Sequence, residues 1–223
     1  SDYTGAGVSC NGETDGFINL TATGGTETYT YDWTDQDGNA VTANDQGNLE
    51  NIGAGTYTAV VTDENGCSDT VTVEITENEP VAVSEVHSDY AGYGVSCKNE
   101  TDGFINLTTT GGTQVYTYDW TDQDGNAVTA NDQGNLENIG AGTYTAVVTD
   151  ENGCSDTVTV EITENEPISI SEEPSDYTGS GVSCNGQTDG FINLTTTGGT
   201  QVYTYNWTDQ DGNAVTANDQ GNL

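Results

Sequence analysis

The stretch "GAGTYTAVVTDENGCSDTVTVEI", residues 53–75, decides the fold. Tyr57, Ala59 and Val61 alternate with their neighbours, and a two-residue period puts them on one face of a strand. Asn65-Gly66 tolerates the positive backbone angles of a tight hairpin turn. Val71, Val73 and Ile75 alternate in their turn, so two joined strands offer apolar faces to one core. The whole stretch returns unchanged at residues 140–162.

The flanks follow the same grammar. Val8–Glu13 reads as a first strand, turned by Thr14-Asp15-Gly16. Phe17–Thr23 follows with Ile18, Leu20 and Ala22 on one face, and Gly24-Gly25 breaks it. Tyr29, Tyr31 and Trp33 share a face of a third strand; core packing accounts for them more simply than stacking on sugars. Asp37-Gly38 leads to a strand at Ala40–Ala43, and a short one lies near Leu49–Ile52. No segment of about ten residues carries a helical period. About seven short strands per copy predict an all-β fold of tandem Ig-like antiparallel β-sandwich domains.

"GVSC" starts at Gly7, Gly94 and Gly181, a period of 87 residues, and 75 of the first 87 positions match their counterparts in the second copy. The expected domains are 1–87, 88–174 and a truncated third copy at 175–223. With no initiator Met and a third copy lacking counterparts of Glu50–His87, the sequence is expected to be a window on a longer array.

Composition narrows the chemistry. There are 37 acids against one Lys and no Arg, a formal charge of −36. Nucleic acid is excluded as a partner, because no basic surface meets phosphates. No apolar run is long enough for a membrane span. Catalysis is not expected, since no nucleophile–base arrangement emerges from the carboxylates. Unbalanced charge repels itself, so divalent cations or high external salt must neutralise it.

Tracing the strands up and down gathers acids at each seam. Glu13, Asp15, Asp35, Asp37, Glu77, Asn78 and Glu79 fall at one pole of a copy. Asp89, Asp132, Asp150 and Glu151 fall at the facing pole of the next, and Asp122 and Asp124 repeat the Asp35/Asp37 pair. Ca²⁺ takes six to eight oxygens of this kind, whereas a lone His87 gives a transition metal no site. The expected cofactor is therefore calcium. Each segment has a plainer reading: Asp35-x-Asp37-Gly38 and Asp63-Glu64-Asn65-Gly66 are turns, and Glu77–Pro80 is a solvated linker.

Cys10 and Cys67 recur as Cys97 and Cys154. If the first and last strands are parallel neighbours, a disulfide within each copy is expected; two buried thiols are the alternative. A disulfide would place the chain in an oxidising, extracellular setting.

"GVSCNGETDGFINLTATGGTETYTYDW", "IGAGTYTAVVTDENGC" and the "ITENEP" spacer resemble the SprB-type repeat of large surface adhesins in gliding bacteria and relatives. The resemblance implies Ig-like sandwiches strung into long cell-surface fibres without catalytic chemistry. Asp69-Thr70-Val71 and Asp156-Thr157-Val158 resemble the O-glycosylation motif of the same bacteria, making Thr70 and Thr157 candidate glycan sites; the Asn19 sequon is weaker. The functional expectation is a structural extracellular filament of calcium-stabilised repeats, whose partners are copies of itself. The alternatives are the stalk of an adhesin used in attachment or gliding, and acid-rich adaptation to salt.

Overall fold

In the computed structural model, every residue of 1–223 except Asp219 is described, and the chain is all-β and antiparallel. It divides into two compact units, one of Ser1–Val86, Ile105–Leu136 and Thr143–Val160, the other of His87–Phe104, Glu137–Gly142 and Glu161–Leu223.

In the first copy the strands are β1 (Gly16–Ile18), β2 (Tyr29–Thr34), β3 (Ala40–Val41), β4 (Leu49–Ile52), β5 (Gly55–Asp63) and β6 (Ser68–Ile75). One sheet has the order β3-β2-β5-β6, and β1 pairs with β4 in a second. The hairpin read from residues 53–75 is present: Gly55 lies opposite Ile75 and Thr62 opposite Ser68. Val8, Ile18, Trp33, Leu49, Tyr57, Ala59 and Ile75 bury together between the sheets. Trp33 keeps its indole N–H satisfied by the Gly47 carbonyl at 2.9 Å, which lets a large ring enter the core without stranding a donor.

Two local expectations are corrected. Val8–Glu13 is a series of bends and a turn, although Val8 is fully buried. Its backbone is held by Gly7 N–H donating to Thr76 O and by Asp15, whose carboxylate accepts from Ser9 N. Val71 is 38% exposed, so the inward face of β6 narrows to Val73 and Ile75.

Next come β7 (Ala82–His87), β8 (Gly103–Thr110), β9 (Thr117–Asp122), β10 (Ala127–Val128), β11 (Leu136–Ile139), β12 (Gly142–Thr149) and β13 (Ser155–Ile162). The sheet β10-β9-β12-β13 repeats that of the first copy, and β7 lies at the edge of a sheet ordered β11-β8-β7. The segment after Pro80, for which no strand was expected, thus forms one. In the second unit β14 (Ser169–Pro174) pairs antiparallel with β15 (Ile192–Thr197) over six residues. The last elements are β16 (Trp207–Thr208) and β17 (Ala214–Val215).

Candidate functional site: the seam between successive copies

Within the first unit, the end of the first copy enters the Gly-Gly turn of the second. Gly112 N–H donates to Glu79 O at 2.7 Å. A Cβ on Gly111 would lie 1.9 Å from Pro80 O, and one on Gly112 would lie 2.6 Å from both Val81 and Asp150. Glycine is required here twice over, since φ at Gly111 and Gly112 is +76° and +56°. The Tyr116 hydroxyl donates to Gly111 O at 2.5 Å and holds the turn in place. Val81 is buried, and the Val83 N–H donates to the Asp156 carboxylate at 2.9 Å.

A second set of contacts ties the start of the first copy to the β12–β13 turn. Asn152 donates from Nδ2 to Tyr3 O and Ser9 O, both at 3.3 Å, while its Oδ1 accepts from the Thr4 hydroxyl at 2.7 Å. Beside it, Cys10 and Cys154 form a disulfide across 144 residues of sequence. This corrects the pairing expected within a copy: Cys67 and Cys97 are free and exposed. The reason is the length of β6. Asn11 Nδ2 donates to Asn78 O and Gly12 N to Glu77 Oε2, which fixes Cys10 beyond the far end of β6 from Cys67. Eight residues at about 3.3 Å each separate the two thiols by more than 20 Å, several times the reach of a disulfide.

The second unit repeats the Gly-Gly seam. Gly199 N–H donates to Glu166 O at 2.8 Å, and a Cβ on Gly198 would meet Pro167 O at 2.0 Å. Lys98, the chain's sole Lys, pairs with Glu164 at 2.5 Å on a partly exposed surface. Such a pair adds little stability.

The predicted calcium ligands are mostly engaged elsewhere. Asp35 accepts at Oδ1 from the Asp37 and Asn39 amides and at Oδ2 from Asn39 Nδ2; Asp122 does the same with Asp124 and Asn126. The Asn39 and Asn126 donors hold both carboxyls below the usual range. Asp15 is held low chiefly by the Ser9 hydroxyl and amide. Burial pushes Asp150 up, but the Thr113, Cys154 and Asn152 amides outweigh it and hold the carboxyl low. Glu77 accepts from Gly12 N, and Asp89 from Gly92 N. Glu79 and Asn78 enter contacts through their backbone carbonyls. Glu13, Asp37, Asp124, Asp132 and Glu151 are exposed. Of the predicted set, Glu79 and Asp150 meet at the seam of the first unit. Among the described residues no three His, Cys, Asp or Glu side chains gather into a group able to hold a metal ion.

Sequence reading missed Asn152, Asp156 and the Gly111-Gly112 cradle. Only the glycine pair carried a signal, and a strand break explained it. Thr70 and Thr157 are exposed, as an outward alternation requires. Trp33 is buried and Tyr29 clamps Gly24 O with its hydroxyl, so this aromatic face serves the fold.

No curated protein matches the chain in sequence. Similar solved structures include an amphioxus IgVJ-C2 molecule, at 16% identity and a TM-score of 0.32, covering 67% of this chain and 96% of that one. The N-terminal eight Ig domains of Down syndrome cell adhesion molecule isoform 1.30.30 align at 14% identity and a TM-score of 0.30, covering 84% of this chain and 28% of that one. The SprB repeat family matches residues 7–38, 95–125 and 179–212, one stretch in each copy. The chain thus carries a match to the SprB repeat in each of its three copies.

Proposed function

We propose that this chain is a load-bearing segment of an extracellular surface fibre, built by handing each repeat's outgoing strand to the next. The observation that carries the reading is the recurrence of one seam: Glu79-Pro80 on Gly111-Gly112, and Glu166-Pro167 on Gly198-Gly199. A contact that recurs with the sequence period suits a fibre, because one interface extends the array by any number of repeats. The Cys10–Cys154 bridge adds a covalent tie across a seam and suits an oxidising, extracellular location.

Calcium belongs to this proposal as a counter-ion to the −36 charge rather than as the occupant of a caged site. Glycans on Thr70 and Thr157 would add bulk and solubility without entering the core. No catalytic step is part of the reading. The test is electron microscopy of producing cells with antibodies raised against residues 1–223. Labelling at intervals along surface filaments supports a fibre. Labelling confined beneath a separate tip favours the adhesin stalk, and label inside the cell overturns both.

A further inference from the structure

The first copy carries the receiving half of a seam, and its groove stands open. Residues 16–23 and 103–110 differ only at Ala22 and Thr109, yet β1 is three residues long and β8 eight. The difference is the neighbour: β8 has β7 beside it, with the Ser84 hydroxyl donating to Thr108 O at 3.4 Å. Around Leu20–Gly25 lies an open cavity of about 440 Å³, floored by Val61 and Val71 and rimmed by Asp63, Cys67 and Asp69. Every one of these has a counterpart at the filled seam. Val148 is fully buried where Val61 is partly exposed. Asp156 Oδ2 accepts from Val83, whereas the hydrogen bond at Asp69 is to Oδ1, from Thr70. A Cβ on Gly24 would meet nothing within 4 Å, whereas Gly111 and Gly198 are both pressed against a proline carbonyl. Cys154 is bridged, and Cys67 is exposed.

We infer that this groove is a β-strand acceptor for the outgoing segment of another SprB repeat, closed by a disulfide between that repeat's first cysteine and Cys67. The occupant has the chemistry of residues 77–87, Glu-Asn-Glu-Pro-Val-Ala-Val-Ser-Glu-Val-His. Its proline carbonyl sits on Gly24, and its following strand runs antiparallel to Ile18–Thr23. The register comes from the second unit, where Ser169 faces Thr197 and Pro174 faces Ile192. One period of 87 earlier for each seam, the Ala82 equivalent faces Thr23 and the His87 equivalent faces Ile18. The Leu20 amide already donates to Asn48 Oδ1 at 2.8 Å, so strand addition supplies ladder hydrogen bonds along the other, open edge of residues 19–23, and side-chain pockets set the specificity. The bridge forms by two-electron oxidation: two thiols lose two protons and two electrons to a disulfide oxidant of the secretory compartment, which is reduced to a dithiol as the S–S bond forms.

The inference rests on the fibre reading only for the source of the occupant; the test below leaves localisation untouched, so the two fail separately. A chain carrying one more copy of residues 1–87 ahead of Ser1 is made under oxidising conditions and mapped by non-reducing peptide mass spectrometry. The expected map contains a bridge from the added repeat's first cysteine to Cys67, with Cys10–Cys154 retained. Cys67 left open to alkylation in the folded, oxidised protein overturns the inference. Gly24→Asn, which keeps a left-handed backbone but puts a side chain against the incoming carbonyl, is expected to restore alkylation of Cys67 in the extended chain. A bridge that forms unchanged in this variant overturns the groove. On the 223-residue chain itself, excess synthetic peptide of residues 77–87 is expected to slow amide exchange at residues 19–23, and Asp69→Ala to weaken that effect. Slowing that appears elsewhere, or that survives Gly24→Asn, counts against the assigned site.

Discussion

Gly111 and Gly24 are the same residue in the same local sequence, and only one of them bears a neighbour. Replacing each by Ala isolates the seam. Both have left-handed backbones, at φ +76° and +86°, so both variants lose about 1–2 kcal/mol from the intrinsic cost of that region. At Gly24 the account stops there, because the new methyl meets nothing within 4 Å. At Gly111 the methyl would lie 1.9 Å from Pro80 O, where ordinary contact begins at 3.4 Å, so the strand must retreat by about 1.5 Å. That retreat breaks the Gly112–Glu79 hydrogen bond, worth about 1 kcal/mol. It also uncovers Val81, whose burial is worth roughly 1.5–3 kcal/mol. The excess at Gly111 is therefore about 2.5–4 kcal/mol. The amide of Val83, which is protected only while it reaches Asp156, reads the seam directly. At about 1.4 kcal/mol per tenfold, its exchange in Gly111→Ala is expected to quicken by roughly two to three orders of magnitude. In Gly24→Ala it is expected to hold its wild-type rate. Equal destabilisation of the two variants, or an unmoved Val83 amide in Gly111→Ala, would refute a seam built on this turn.

Other consequences concern the bridge, the acids and the salt. Reducing Cys10–Cys154 releases a 144-residue loop, for which chain entropy gives an upper bound of about 5 kcal/mol. The loss is expected in thermal melts as a lower transition of the seam, with the buried Trp33 emission unchanged below it. Asp156→Ala removes amide hydrogen bonds from both Val83 and Thr157, whereas Asp69→Ala removes only the one from Thr70, so in urea titrations Asp156→Ala is expected to cost about 1.5–3 kcal/mol more than Asp69→Ala. Asp15, Asp35, Asp63 and Asp150 have carboxyl pKa values below their ordinary one in the folded state. Their stabilisation is present above the unfolded value of 3.8 and is lost as pH falls from there through the folded values. Acid melts are accordingly expected to be level near neutrality and to fall steeply below about pH 4. Removing calcium with EDTA at constant ionic strength is expected to leave the melting temperature nearly unchanged, because diffuse counter-ions are replaced by sodium. A drop of many degrees would point to caged ions instead.

The hairpin of residues 53–75 was legible because each cue acts within a few residues: alternation, a glycine turn and β-branched side chains all agree. The acids were legible as an imbalance, and their local roles in turns were legible only in part. Asp35 and Asp63 precede turns, and a carboxylate there accepts from amides two and four residues on before it meets any ion. The disulfide was illegible because spacing along the chain says nothing about which end of a strand a thiol occupies. Cys10 and Cys67 sit at opposite ends of β6, and only the handover to the next copy brings Cys10 to Cys154.

That handover also explains why two nearly identical sequences take unequal structures. Residues 19–23 have the alternation of a strand but no strand paired beside them, and β1 ends at Ile18. With β7 alongside, the same residues one period later continue to Thr110. The intrinsic preference differs only at Ala22 and Thr109, so the five extra strand residues chiefly reflect what a neighbour supplies. Strand pairing stabilises through cross-strand contacts and ladder hydrogen bonds rather than through the lone chain. An 87-residue period in sequence therefore need not coincide with the unit that completes a sheet. In this chain the completing strand precedes the glycine turn that receives it by one seam, and each repeat finishes the fold of the one that follows.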